Sequence, residues 1–382
     1  MVVDSQAVGK QSKLPLRVLL IVELNVASRF WEGSVPLLRA AGIEVFVASI
    51  RERGELHKNV EALGGHTLAL NSRSSFDYPL ASLRLAKYIR QNRIDIIQAC
   101  EAIPGSIAGL AGLLAGRGVR IFHRVHTIDQ GREQRLLSRI SSRLSHLTMA
   151  ISQSSAHYAN DLDGVPWSRI RVAYCGVNQP RQVSKEEVLE LRRSLGIPED
   201  APVISMVARL SQEKGHRTLF EAVRLLNKSL PKPPHLVIAG AGADEEALKE
   251  CASSLSPAVV HFVGHQKDVA PWFTLADVVA VPSYQEAFGL SAAEALACSR
   301  PVVASKVGGL QEVIEDGVSG LLVPPKDPDA LAERIELLLR SPARAAEISA
   351  GGYERFRKQF TMEAMVQGWI DCYREAQRQP KR

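Results

Sequence analysis

Glu286 and Glu294 stand eight positions apart, on either side of Phe288-Gly289-Leu290, in the run PSYQEAFGLSAAEALACSRPVVAS at 282–305. A strand-like VVAVPS leads into this segment and an Ala-rich helical pattern follows, so Gly289 and Leu290 fall where a strand end turns into a helix N-terminus. The first amides of a helix have no partner inside it, and the positive end of its dipole lies there, so such a terminus receives phosphate. Glu286 would stand in the loop above that phosphate, and Glu294 one turn inside the helix on the same side as Leu290. A carboxylate in an Ala-rich helix needs donors, and the vicinal hydroxyls of a ribose supply two. The plainer alternative is a loop-capping Glu286 and a solvated Glu294.

A second element converges on the same pocket. In ISMVARLSQEKGHRTLFEAVRLL, residues 204–226, an apolar strand runs into a loop carrying Arg209 and Lys214, and Gly215 opens an amphipathic helix. Two cations at a strand-to-helix loop suit a diphosphate, since Arg offers a planar fork to two oxygens and Lys a movable point charge. An ordinary basic loop is the alternative.

Together these words resemble the retaining glycosyltransferases of family 4, which have the two-domain GT-B fold. P-S, F-G, E-A-x-A and P-V-V-A carry the resemblance around the Glu-x7-Glu pair, and Arg-Leu-x3-Lys-Gly carries it around Arg209 and Lys214. The resemblance implies that Glu286 binds hydroxyls of the donor sugar and that the amides of Phe288, Gly289 and Leu290 hold sugar and diphosphate. It further implies that Glu294 binds the ribose and that Arg209 and Lys214 clamp the pyrophosphate. IDIIQACEAIPGSIAGLAGLLAGRGVRIFHRVHTID resembles the stretch that ends in the family's cleft histidine. His126, just past an expected strand, takes that catalytic place, with His123 inside the strand the decoy. AISQSS at 150–155 and YCGVN at 174–178 are similar to further family words, and the likeness covers roughly residues 90–376.

The implied reaction is metal-independent, retaining transfer of a hexose from a nucleotide sugar, UDP- or GDP-linked. The acceptor is a hydroxyl of a glycan, a lipid-linked sugar or a small molecule, as in polysaccharide or lipopolysaccharide biosynthesis. The nucleotide sugar is a co-substrate, so no cofactor is expected, and the leaving phosphate itself deprotonates the acceptor on the same face. Asp161-x-Asp163 imitates the metal-binding Asp-x-Asp of another glycosyltransferase fold but sits at a helix end before GVP. Three departures from the family pattern stand out, mostly on the acceptor side. ELNVASRFWEG lacks the Gly-Gly pair of the family's first loop, Gln98 and Cys100 replace a His-rich word, and Ser299 stands where glycine is usual. They point to an unusual acceptor or, as the alternative, to an enzyme that has lost its activity.

Three rival readings differ in chemistry. A nicotinamide oxidoreductase needs G-x-G-x-x-G after an early strand, which ELNVAS lacks, and Gly240-Ala-Gly242 is a partial match better read as a strand-to-helix turn. A sugar-nucleotide epimerase of the same fold would need no acceptor. A catalytically silent nucleotide-binding scaffold would release no nucleoside diphosphate.

The elements that must position these residues alternate along the chain. Apolar strand-like runs at 16–23, 44–50, 66–70, 94–99, 119–125, 147–152 and 170–174, then 203–208, 235–240, 259–264, 277–282, 301–305 and 320–323, are separated by helical patterns. This predicts two Rossmann-like, doubly wound parallel α/β sheets with ligands outside the carboxyl ends of their strands. The polar GVNQPRQVSKEE marks the junction, giving an acceptor domain at 1–180 and a sugar-nucleotide domain at 181–358. The resemblance to GT-B proteins further implies that a last helix within 359–382 crosses back to the first domain, with cleft closure as the working motion.

At 382 residues, with 46% hydrophobic and 23% charged residues, the chain has burial enough for two cores. Ala102 to Gly116 is apolar but too short and Gly-rich for a membrane span, and VLLIV at 18–22 lacks a signal-peptide plan. Five scattered cysteines without a CxxC pair favour a reducing cytoplasm over zinc or disulfides. The net charge of +6 gathers in part on GREQRLLSRISSRLSHL, residues 131–147, where Arg132, Arg135, Arg139 and Arg143 run beside Leu136, Ile140, Leu144 and Leu147. Such a helix either packs its leucines on the sheet or rests on anionic lipid at the inner face of a membrane. No aromatic-and-basic stripe points to nucleic acid.

Overall fold

The computed structural model describes residues 15–23, 25–26, 29–124 and 132–378. Among the described residues thirteen strands are formed, one for each apolar run expected from the sequence. The first sheet contains β1 (Leu16–Val22), β2 (Ile43–Ser49), β3 (His66–Ala69), β4 (Ile96–Cys100), β5 (Val119–Arg124), β6 (Leu147–Ala150) and β7 (Ile170–Val172). The second contains β8 (Val203–Val207), β9 (His235–Ala239), β10 (Val259–Gly264), β11 (Val278–Val281), β12 (Val302–Ser305) and β13 (Leu321–Val323). Their orders are 3-2-1-4-5-6-7 and 10-9-8-11-12-13, and every pair of strands is parallel.

Parallel strands are covered by crossover helices on both faces, which is why they read as unbroken apolar runs. In β1, Val18, Leu20 and Val22 join one buried cluster while Leu19 and Ile21 join the cluster on the opposite face. The apolar VLLIV is therefore the spine of the first sheet. In each sheet the strand order reverses at one place, between β1 and β4 and between β8 and β11. Loops leaving adjacent strands there diverge to opposite faces and open a crevice above the carboxyl ends.

The helix Met362–Arg378 crosses back to the first sheet, where Met362, Met365, Val366, Trp369, Ile370 and Tyr373 enter the same cluster as Val18 and Leu20. Their three- and four-residue spacing makes one apolar face. Gln98 lies beneath this helix, fully buried: Tyr373 Oη donates to its Oε1 at 2.5 Å, and its Nε2 lies 3.2 Å from His123 Nδ1. The residue that replaces a His-rich family word thus fastens the returning helix to the sheet. Ser299 has φ of 54°, the left-handed region in which glycine is at ease, so the family's usual glycine there has a backbone reason.

Of the two readings of the basic helix, packing of its leucines on the sheet holds only in part. The helix Arg132–Leu144 forms, but its leucines do not all turn to the sheet: Leu136 is 59% exposed, and Ile140 and Leu144 are half-buried. Its buried face is Ser138, Ser141 and Ser142. These small side chains let it approach the helix Ala102–Ala115, where a Cβ on Gly105 would stand 2.7 Å from Ser141 Oγ and one on Gly109 2.7 Å from Leu144 Cβ. Close approach of two backbones takes precedence over leucine burial. Among the described residues, no helix is long and apolar enough to cross a membrane.

Candidate functional site

Both motif loops leave the crevice strands of the second sheet. β8 runs into the loop carrying Arg209, then a 3-10 turn, Gln212–Lys214, and the helix His216–Ser229. The turn after β9 holds this loop in place, with Leu210 N–H donating to Ala241 O at 3.1 Å and Asp244 N–H to Leu210 O at 3.1 Å. Gly240-Ala-Gly242 is thereby spent on packing. β11 runs into Pro282–Gly289 and then the helix Leu290–Ala297. The two loops are stitched together: Tyr284 N–H donates to Glu213 O at 2.7 Å, and Thr218 Oγ1 lies 2.9 Å from Tyr284 Oη.

Lys214 Nζ lies 2.7 Å from Glu286 Oε2, with the two side chains 16% and 17% exposed, and Ser283 Oγ donates to the same oxygen at 3.2 Å. The structure thus brings together two residues 72 positions apart in the chain. Arg209 lines the same cavity but is 71% exposed and pairs with Glu213 at 3.0 Å.

Gly289 caps the helix Leu290–Ala297 with φ of 108°, a conformation that a side chain would strain. Ala293 N–H reaches back to Gly289 O, while the amides of Ala287, Phe288, Gly289 and Leu290 make no hydrogen bond to a described residue. These four residues line a cavity of about 310 Å³ together with Arg209, Lys214 and Glu286. The side chain of Phe288 points away from this use: it is 2% exposed and packs beside Tyr174 and edge-on to Phe360. Leu290 is shared with a second cavity of about 450 Å³, which contains Glu294 and is walled by Phe30, Asn178, Arg181, Asp268 and Val269. Arg181 spans its rim, its Nε on Asp268 and its Nη1 on Glu187 at 2.8 Å.

The sequence-derived set therefore gathers at one crevice: Arg209, Lys214, Glu286, Phe288, Gly289 and Leu290 around one cavity, Glu294 in the next. His126 lies outside the described residues. His123 is in β5, fully buried, and burial holds its imidazole down to about 3, so it is a neutral core residue. Asp161 ends the helix Gln153–Asp161, whose first turn faces the second domain.

Several contributors have only weak signals in the sequence. The pair Gly308-Gly309 follows β12 and lies against the Glu-bearing loop, where a Cβ on Gly308 would stand 1.9 Å from Glu286 O. Gly309 N–H donates to that oxygen at 3.1 Å. Paired glycines after a buried strand are a readable cue, but nothing local says which loop they touch. Ser152 Oγ donates to Ala287 O at 2.7 Å, and the Glu312 carboxylate accepts from Gln153 N–H at 2.7 Å and Ser154 N–H at 2.9 Å. These bonds join the two domains across the crevice.

Comparison with known proteins agrees with this geometry. Residues 187–355 match the family model described as glycosyl transferases group 1, and residues 34–181 match the model for glycosyltransferase family 4. The D-inositol 3-phosphate glycosyltransferase of Xylanimonas cellulosilytica is 32% identical over 309 residues, 72% of this chain and 72% of that protein. That of Stackebrandtia nassauensis is 32% identical over 318 residues, 75% of this chain and 70% of that protein. Among solved structures, a glycosyltransferase from Rickettsia africae superimposes with a TM-score of 0.82 at 20% identity, covering 96% of this chain and all of that one. Anabaena Alr3699/HepE in complex with UDP superimposes at 0.80 and 19% identity, covering 94% of this chain and all of that one. With two opposed Rossmann-like sheets, a strand-end crevice and family matches across both halves, the chain belongs to the family 4 glycosyltransferases of GT-B fold.

Proposed function

We propose that this glycosyltransferase moves a hexose from a UDP- or GDP-linked sugar to a hydroxyl of a glycan, lipid-linked or small-molecule acceptor, with retention and without a metal. The supporting observation is the pair of neighbouring cavities sharing Leu290, with cations and unpartnered amides in one and Glu294 in the other. A nucleoside diphosphate sugar has this distribution of groups: hydroxyls at the sugar end for Glu286, an anionic centre for the amides, Arg209 and Lys214, and a ribose diol for Glu294. The two side-chain cations and the helix terminus oppose the charge that grows on the diphosphate as the sugar–oxygen bond breaks, which is the term that accelerates such a step. Lys214, neutralised by Glu286 in this structure, would turn to the phosphate and leave the carboxylate for the sugar. The leaving phosphate would take the acceptor proton on the same face, and His126 would orient the reaction centre.

The same proposal divides the labour between an acceptor domain, 1–180, a donor domain, 181–358, and the returning helix within 359–382. The acceptor named for the relatives, D-inositol 3-phosphate, makes a phosphorylated polyol the first small-molecule acceptor to test. We also place the enzyme in the cytoplasm, with the basic helix Arg132–Leu144 resting on the inner face of an anionic membrane.

A thermal-shift panel of UDP-, GDP- and ADP-sugars tests the donor site. One nucleotide class should raise the melting temperature, and Glu294→Ala should lose most of the rise. Equal shifts in both proteins would remove Glu294 from the ribose.

A further inference from the structure

Ser152 belongs to the first domain, at the turn between β6 and the helix Gln153–Asp161, and is fully buried. Its Oγ accepts from Ser155 N–H at 2.9 Å, as an N-cap does. The hydroxyl also has one proton to give. Ser155 Oγ is 3.0 Å away and already receives Ser152 N–H at 2.9 Å, whereas Ala287 O, in the other domain, is 2.7 Å away. The shorter contact, to a carbonyl, takes the proton.

Ala287 O and Phe288 N–H are the two ends of one trans peptide unit, so they point in opposite directions. Holding the oxygen on Ser152 turns the Phe288 N–H away from Ser152. The preceding peptide is held in the same manner from within the second domain, by Gly309 N–H on Glu286 O at 3.1 Å. Two successive peptide planes of the Glu286–Phe288 loop are thus fixed by their carbonyls, one from each domain. The residues that carry their N–H ends, Ala287 and Phe288, line the cavity containing Lys214 and Glu286, and neither N–H bonds a described residue.

We infer that Ser152 is a positioning residue: from the acceptor domain, it sets the orientation of the donor-binding Phe288 amide, so the sugar end of the donor site is complete only while the domains are in contact. This rests on the donor site proposed above. Glu312 supports the same contact by holding the first amides of the helix that Ser152 caps. A fixed amide needs no reorganisation when charge develops beside it, which is where its effect on rate arises.

The experiment compares wild type, Ser152→Ala, Ser152→Thr and Ser155→Ala by calorimetric titration with UDP-glucose and GDP-mannose, and with UMP and GMP. Ser152→Ala should weaken the nucleotide sugar that wild type binds about five- to twentyfold while leaving the matching monophosphate within about twofold. Ser152→Thr, which keeps the hydroxyl, should stay near wild type. Ser155→Ala removes the other half of the helix cap and should lower the melting temperature without changing either affinity. An unchanged nucleotide-sugar affinity in Ser152→Ala, or an equal loss in Ser155→Ala, overturns the inference and leaves the donor site standing. Failure of wild type to bind either nucleotide sugar would overturn both.

Discussion

At the residue scale, the site combines groups whose isolated states are unfavourable. Lys214 and Glu286 are mostly withdrawn from water, and each is tolerable because the other is 2.7 Å away. In the proposed reaction, an incoming diphosphate and the sugar hydroxyls would offer each partner a replacement. Glu286, Gly289, Leu290 and Glu294 were legible as one segment because a strand end running into a helix start is a local construction, written in consecutive residues. Ser152 and Gly308-Gly309 were not, since their contribution depends on which distant carbonyl they meet. Ser299 offers a clean test of backbone reasoning. With φ of 54° it occupies a region that costs a residue with a side chain roughly 1–2 kcal/mol, partly offset in glycine by about 0.5–1 kcal/mol of extra unfolded-state freedom. Ser299→Gly should therefore stabilise the protein by up to about 1 kcal/mol, a rise of roughly 2–4 °C in melting temperature for a domain of this size. A fall would show that the hydroxyl contributes more than the strain.

At the element scale, the strands were readable because sheets covered on both faces leave no polar alternation to blur them. Helix faces were less so. Between Arg132 and Leu144 the leucine stripe left its direction open, and Ser138, Ser141 and Ser142 face inward because the glycines of the neighbouring helix admit a close approach. The consequence is an outer face with exposed Leu136, Arg139 and Arg143, beside exposed Leu110, Leu113 and Leu114 of the helix Ala102–Ala115. Basic residues near an anionic surface contribute about 1 kcal/mol each, screened by salt. The protein should co-sediment with phosphatidylglycerol vesicles and much less with phosphatidylcholine ones, and Arg139→Glu with Arg143→Glu should release it roughly tenfold or more. Indifference to lipid charge would return this helix to an ordinary surface role.

At the scale of the whole molecule, the alternation of strands and helices announced two parallel sheets, and the crossing of the last helix followed from the family resemblance. Strand order did not follow from either. It placed β8 beside β11 and so brought Lys214 against Glu286. Nor could the sequence disclose the bonds of Ser152 and Glu312 across the crevice, by which the two halves touch. The central claim is that the helix start at Gly289, with Arg209 and Lys214, receives the diphosphate of an activated sugar. A crystal structure with bound UDP or GDP, whichever the protein binds, measures it directly. The account places the phosphorus atoms within about 4 Å of the Gly289 and Leu290 amide nitrogens, with the ribose at Glu294. Phosphates found in another cavity, with these amides untouched, would contradict it.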